Sequence, residues 1–196
     1  MKKEQKIEHQ IVLDIETTGL NPWYGDKITC ICAKDIDTKD KFTICSDDES
    51  DIIFKFIEWM YKYSVQDTMI ITANGTQFDI PFILTRLSLC PVNDWNPEKL
   101  LNFAHFDVDN DITKKRISLN DIASILSLEQ KTSNGLQAIQ WFQEKKYDDI
   151  KEYCWHDVLL TEKVYLTFRM VKNAVLSNSS SAKAESFNKD LMENQK

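Results

Sequence analysis

Residues 11–22 read IVLDIETTGLNP, an apolar run from Ile11 to Ile15 broken by Asp14 at a position where a buried strand ordinarily carries Val or Ile. With the two-residue period of a strand, Asp14 and Glu16 fall on one face. A carboxylate buried without a counter-charge costs several kcal/mol or gives up its charge, so the pair implies a cation bound on that face. The set contains neither His nor Cys, and hard cations with oxygen ligands, Mg²⁺ or Mn²⁺, suit it best. Taken alone, such a stretch is more often an edge strand with solvated acids.

Two further stretches repeat the anomaly. In MIITANGTQFDIPFI (69–83) a buried strand gives way to the turn Asn74-Gly75, and a helix starts at Asp79, where an N-cap role ahead of Pro81 would account for the acid. In DDIKEYCWHDVLLTEKVY (148–165) apolar residues recur at helical spacing, and Asp157 stands where an apolar residue is expected. Tyr153 lies one turn before Asp157, so phenol and carboxylate reach one small volume. His156 points to another helical face and reads as an ordinary, partly exposed histidine.

In that order, DIETTGL (14–20), NGTQFDIP (74–81) and YCWHD (153–157) resemble the three exonuclease motifs of the DEDD superfamily in its tyrosine-bearing branch, DEDDy. The likeness runs from about Ile11 to Arg169 and is to the proofreading exonuclease domain of family B DNA polymerases and its free-standing relatives. The histidine branch carries His five residues before the last Asp, where this chain has Glu152; Tyr153 occupies the tyrosine position.

The resemblance implies a ribonuclease H-like fold and metal-dependent 3′–5′ hydrolysis of terminal phosphodiester bonds in single-stranded DNA, with RNA left open. It implies two divalent cations, Mg²⁺ or Mn²⁺. Asp14 would bridge both, Glu16 and Asp157 would complete the site that activates water, and Asp79 would hold the second cation through water. Tyr153 would orient the nucleophile, because a phenol with an ordinary pKa near 10 is a poor general base at neutral pH. Thr17, Thr18, Gly19 and Leu20 would meet the terminal nucleotide, with Asn74 and Phe78 contributing from the second motif. Trp23 and Tyr24, after the Asn21-Pro22 turn, would either form an aromatic rim on the same mouth or pack under a loop.

The chain has 196 residues, 42% of them hydrophobic, enough for one sizeable core. A net charge of -7 argues against a broad basic surface for duplex, which leaves short, salt-sensitive contacts to a strand end; Lys114, Lys115 and Arg116 are the local basic cluster. Five cysteines with no paired CxxC motifs read as reduced core thiols. The start, MKKEQKIEHQ, has a basic pair without an apolar segment, and no run is long enough to span a bilayer, so a cytoplasmic protein without a membrane partner is expected.

Strands are predicted at 11–15, 28–34, 41–45, 68–73 and 102–107, and helices at 51–63, 79–89, from 118, at 135–144 and at 148–170. That order predicts an α/β fold with a central mixed five-stranded sheet flanked by helices. Residues 1–172 would form the exonuclease domain. Residues 173–196, low in apolar side chains, would be a flexible tail able to dock a replication or repair protein. The rival expectation is a catalytically silent or accessory nucleic-acid-binding module on the same scaffold.

Overall fold

In a computed structural model, which describes residues 6–90, 98–112, 117–128 and 135–193, the long apolar run becomes β1 (His9–Thr17), the central strand of the sheet. It pairs antiparallel with β2 (Ile28–Asp35), which pairs antiparallel with β3 (Lys41–Cys45). On its other side it pairs parallel with β4 (Thr68–Thr72), and β4 pairs parallel with β5 (Ala104–Asp107). The sheet is therefore mixed and five-stranded, in the order β3-β2-β1-β4-β5.

The crossover from β3 to β4 is α1 (Glu49–Met60), and α2 (Asp79–Leu89) follows β4. A short α3 (Glu98–Asn102) leads into β5, where a single strand over 102–107 was predicted. Helices α4 (Leu119–Ile125), α5 (Gly135–Gln143) and α6 (Tyr147–Glu193) follow. The last of these was expected to close at Met170. It continues across the 172/173 boundary because residues 171–193 contain neither Gly nor Pro, and nothing there stops the helical hydrogen-bond ladder.

The two faces of β1 carry two cores. Ile11, Leu13 and Ile15 pack with Ile52, Phe56 and Ile83 from α1 and α2, while Val12 on the opposite face packs with Ile150, Cys154 and Val158 from α6. Asp14 and Glu16 share the face of Val12, so strand periodicity aims both acids at α6. Behind the sheet edge, Arg86 of α2 grips Glu49 of α1 through two charge-assisted bonds, Nε to Oε1 at 2.8 Å and Nη2 to Oε2. The same Glu49 oxygen accepts the N–H of Ile28 at 2.8 Å, and Arg86 Nη1 donates to the carbonyl of Pro22 at 3.0 Å. One buried ion pair thus ties α1, α2 and the start of β2 to the turn after β1.

Candidate active site

Strand β1 delivers its acids at a point where its ladder with β2 breaks register, between Glu16 and Thr17. The chain then turns: Thr17 Oγ1 donates to the carbonyl of Gly19 at 2.6 Å, and any Cβ on Gly19 would lie 2.4 Å from the Asp26 carboxylate. Only glycine permits that approach. A 3-10 turn at Pro22–Tyr24 follows, capped by Asn21, and leaves Leu20, Trp23 and Tyr24 exposed; Trp23 and Tyr24 line neither of the two cavities at the site.

Asp79 enters from α2, but not as a cap. The N-cap is Phe78, with no side-chain cap bond, and Asp79 Oδ1 instead accepts the backbone N–H of Ile15 at 3.1 Å. Burial pushes its carboxyl up to about 7, against the backbone bonds that favour its charge, with the nearby charges of Asp107 and Asp157 adding to the rise.

Helix α6 contributes Tyr153 and Asp157 one turn apart, both buried, with the Trp141 ring edge-on to Tyr153 at 6.1 Å. His156 is partly exposed, its Nδ1 3.8 Å from Asp157 Oδ1 and beyond hydrogen-bond reach.

Asp14, Glu16, Asp79, Tyr153 and Asp157 line one open cavity of about 670 Å³, together with Leu20, Asn74 and Phe78. Thr17 and Gly19 line an adjoining groove of about 520 Å³ that shares Ile15, Glu16, Leu20 and Phe78 with the first and continues over Leu136 and Ile139. Phe78 serves both as lining and as packing, its ring 5.4 Å from that of Phe82. Thr18 lines neither; its hydroxyl accepts the N–H of Lys27 at 2.9 Å, fixing the turn. Lys114, Lys115 and Arg116 lie outside the described residues.

Three features enlarge the predicted site. Asp109, buried on a π-helical turn at Val108–Ile112, is a further acid of the lining; the acidic run DVDND (107–111) was its only signal. Asp107 holds the wall of the cavity in place without lining it. Its carboxylate accepts the N–H groups of Asn74 and Thr76, each at 2.9 Å, and the Thr76 hydroxyl. That latch fixes Asn74 in the left-handed region, φ 62°, which Asn tolerates. Third, the Cys154 sulfur lies within 4.8 Å of carboxylate oxygens of both Asp14 and Glu16.

The donor set suits divalent cations. Five carboxylates converge on the cavity and, among the described residues, no Lys, Arg or His lines it to offset them. Asp14, Glu16, Asp79 and Asp157 are lining acids that could hold such ions. Among the described residues, no helix is long and apolar enough to cross a membrane.

No curated protein matches this chain in sequence. Its fold is similar to that of a family B DNA polymerase from the hyperthermophilic archaeon Pyrobaculum calidifontis, with a TM-score of 0.61 and 15% sequence identity. The likeness covers 78% of this chain and 23% of the polymerase, so the chain spans less than a quarter of that protein's length, and what the two share is the fold. The family model described as the RNase_H superfamily matches residues 11–168, most of the chain, and the chain belongs to the RNase H superfamily.

Proposed function

We propose that the chain is a metal-dependent 3′–5′ exonuclease that removes nucleoside 5′-monophosphates from single-stranded DNA. The observation that carries this reading is the meeting of four motif carboxylates and Tyr153 in one cavity that opens onto a mainly apolar groove. Divalent cations bound by the acids would activate water and stabilise charge at the leaving oxygen. Water oxygen attacks the terminal phosphorus, the P–O3′ bond breaks, and the shortened strand keeps a 3′ hydroxyl.

The chain's own groups prepare that step. The phenol of Tyr153 orients the attacking water, and Trp141 of α5 packs edge-on against the ring. Asp79, fixed by the Ile15 amide, is held at a constant depth relative to Asp14 and Glu16. Leu20 and Phe78 offer apolar surface to the terminal base, which suits contact without base identity, and Asn74 offers a polar group beside them. In this reading the catalytic unit is residues 1–172, and the last stretch of α6 lies outside it.

A time course on 5′-labelled single-stranded DNA, with and without Mg²⁺ or Mn²⁺, tests this for the wild type and Asp14→Ala. A metal-dependent ladder shortening from the 3′ end, absent in the variant, is expected. A folded protein that degrades neither DNA nor RNA with either metal would overturn the reading and leave a binding module.

A further inference from the structure

Four of the five cysteines meet on the acid face of the sheet, beside Asp14 and Glu16. Cys30 and Cys32, two apart on β2, stand opposite Glu16 and Asp14 of β1 and point to the same side of the sheet. Cys154 reaches that side from α6. The three sulfurs lie within 4.8 Å of one another, and all three side chains are fully buried. Cys45 faces Cys30 across the β2–β3 ladder. None of these four side chains has a part in the hydrolysis.

Core thiols pack like small apolar groups and are tolerated singly. Convergence of four from three elements is a different arrangement, because it supplies a complete set of soft donors. A tetrahedral zinc-type ion with sulfur ligands at about 2.3 Å holds its sulfurs about 3.8 Å apart, so Cys30, Cys32 and Cys154 close on such an ion by side-chain movements of about 1 Å, and Cys45 completes the set from the neighbouring strand. The partly exposed Cys45 leaves an entry path, and the Lys151 ammonium acts electrostatically on Cys32 and Cys45, offsetting part of the charge that deprotonated sulfurs bring.

We propose that Cys30, Cys32 and Cys154, with Cys45 as fourth donor, form a site for one thiophilic divalent cation of the zinc class. Each donating thiol releases its proton to solvent as the ion binds. The site is distinct in chemistry from the neighbouring carboxylates and does not depend on the nuclease reading. Cys154 is the corner the two share, since its thiol also donates to the Asp14 carbonyl at 3.5 Å. Filling the sulfur site pins α6 to β2 directly beside the acids.

The full chain, reduced and stripped of metal, is titrated with Cd²⁺ as the probe, with excess Mg²⁺ present so that the carboxylates do not compete. Thiolate-to-metal charge-transfer absorption saturating at one Cd²⁺ per chain is expected, together with one Zn²⁺ retained against a chromophoric chelator. Both are lost in Cys32→Ser and unchanged in Cys90→Ser, which lies outside the cluster. No charge-transfer band in the folded wild type, or a band that survives Cys32→Ser, would overturn the proposal. Should Cys32→Ser not fold, X-ray absorption at the zinc edge of the wild type decides: a sulfur shell at about 2.3 Å supports the site, and a shell of oxygen and nitrogen alone refutes it.

Discussion

Asp79 Oδ1 accepts a hydrogen bond from the backbone N–H of Ile15, the residue between Asp14 and Glu16, at 3.1 Å. The second motif is therefore bolted to the first through main chain, with no ion needed to bring them together.

That bond separates shape from charge at Asp79. Its folded pKa, about 7, lies above the ordinary 3.8, so its ionisation opposes folding. The penalty is absent below the ordinary value and grows as pH rises from there to about 7. Asp79→Asn keeps an acceptor for the Ile15 amide and removes the charge. The metal-free variant should gain about 1–3 kcal/mol at neutral pH, a gain that vanishes near pH 4, as read by urea denaturation in chelator. Nuclease activity should fall by more than about 100-fold in the same variant.

Tyr153→Phe keeps the ring and its contact with Trp141 and removes the hydroxyl. Turnover should drop by about 100-fold with KM nearly unchanged, because only the aim of the water is lost. Wild-type kcat in single-turnover measurements would remove Tyr153 from the mechanism.

At Asp107 burial pushes the carboxyl up, but the Thr76 hydroxyl and the amides of Thr76, Asn74 and Asp109 outweigh it and hold the group below the ordinary carboxylate range. A depressed pKa stabilises the fold above the unfolded value and loses that contribution as pH falls through the folded one. Asp107→Asn should cost about 2–3 kcal/mol at pH 7, with the gap to wild type closing below about pH 4 in denaturation curves. The loosened Asn74–Thr76 turn should also weaken single-strand binding, read by fluorescence anisotropy.

Arg86→Met leaves the Glu49 charge buried without its partner and should cost about 3–5 kcal/mol. Arg86→Met combined with Glu49→Met should recover most of that loss, since the uncompensated charge is gone. Thermal melts of the two variants check the order.

The sequence carried whatever depends on local period. Strand alternation put Asp14 and Glu16 on one face, helical spacing put Tyr153 above Asp157, and both hold. Position alone misled at Asp79, where the site beside Pro81 suggested a cap while the carboxylate bonds across to Ile15. Asp109 was hidden because a π-helical turn has neither of the periods that sequence patterns reveal. The meeting of Cys30, Cys45 and Cys154 depends on the β2–β3 register and on where α6 lands, and no spacing along the chain encodes either.

Cys154 touches the Asp14 carbonyl across 140 positions of chain, which bears on how the protein comes into being. The β1–β2–β3 meander closes through near neighbours, whereas α6 must find β1 over nearly the whole sequence, a slow closure that depends on the rest of the sheet. A chain still leaving the ribosome therefore holds Asp14, Glu16 and Asp79 before it holds Tyr153 and Asp157. In a nascent chain the proposed site of Asp14, Glu16, Asp79, Tyr153 and Asp157 stays incomplete until the final helix docks.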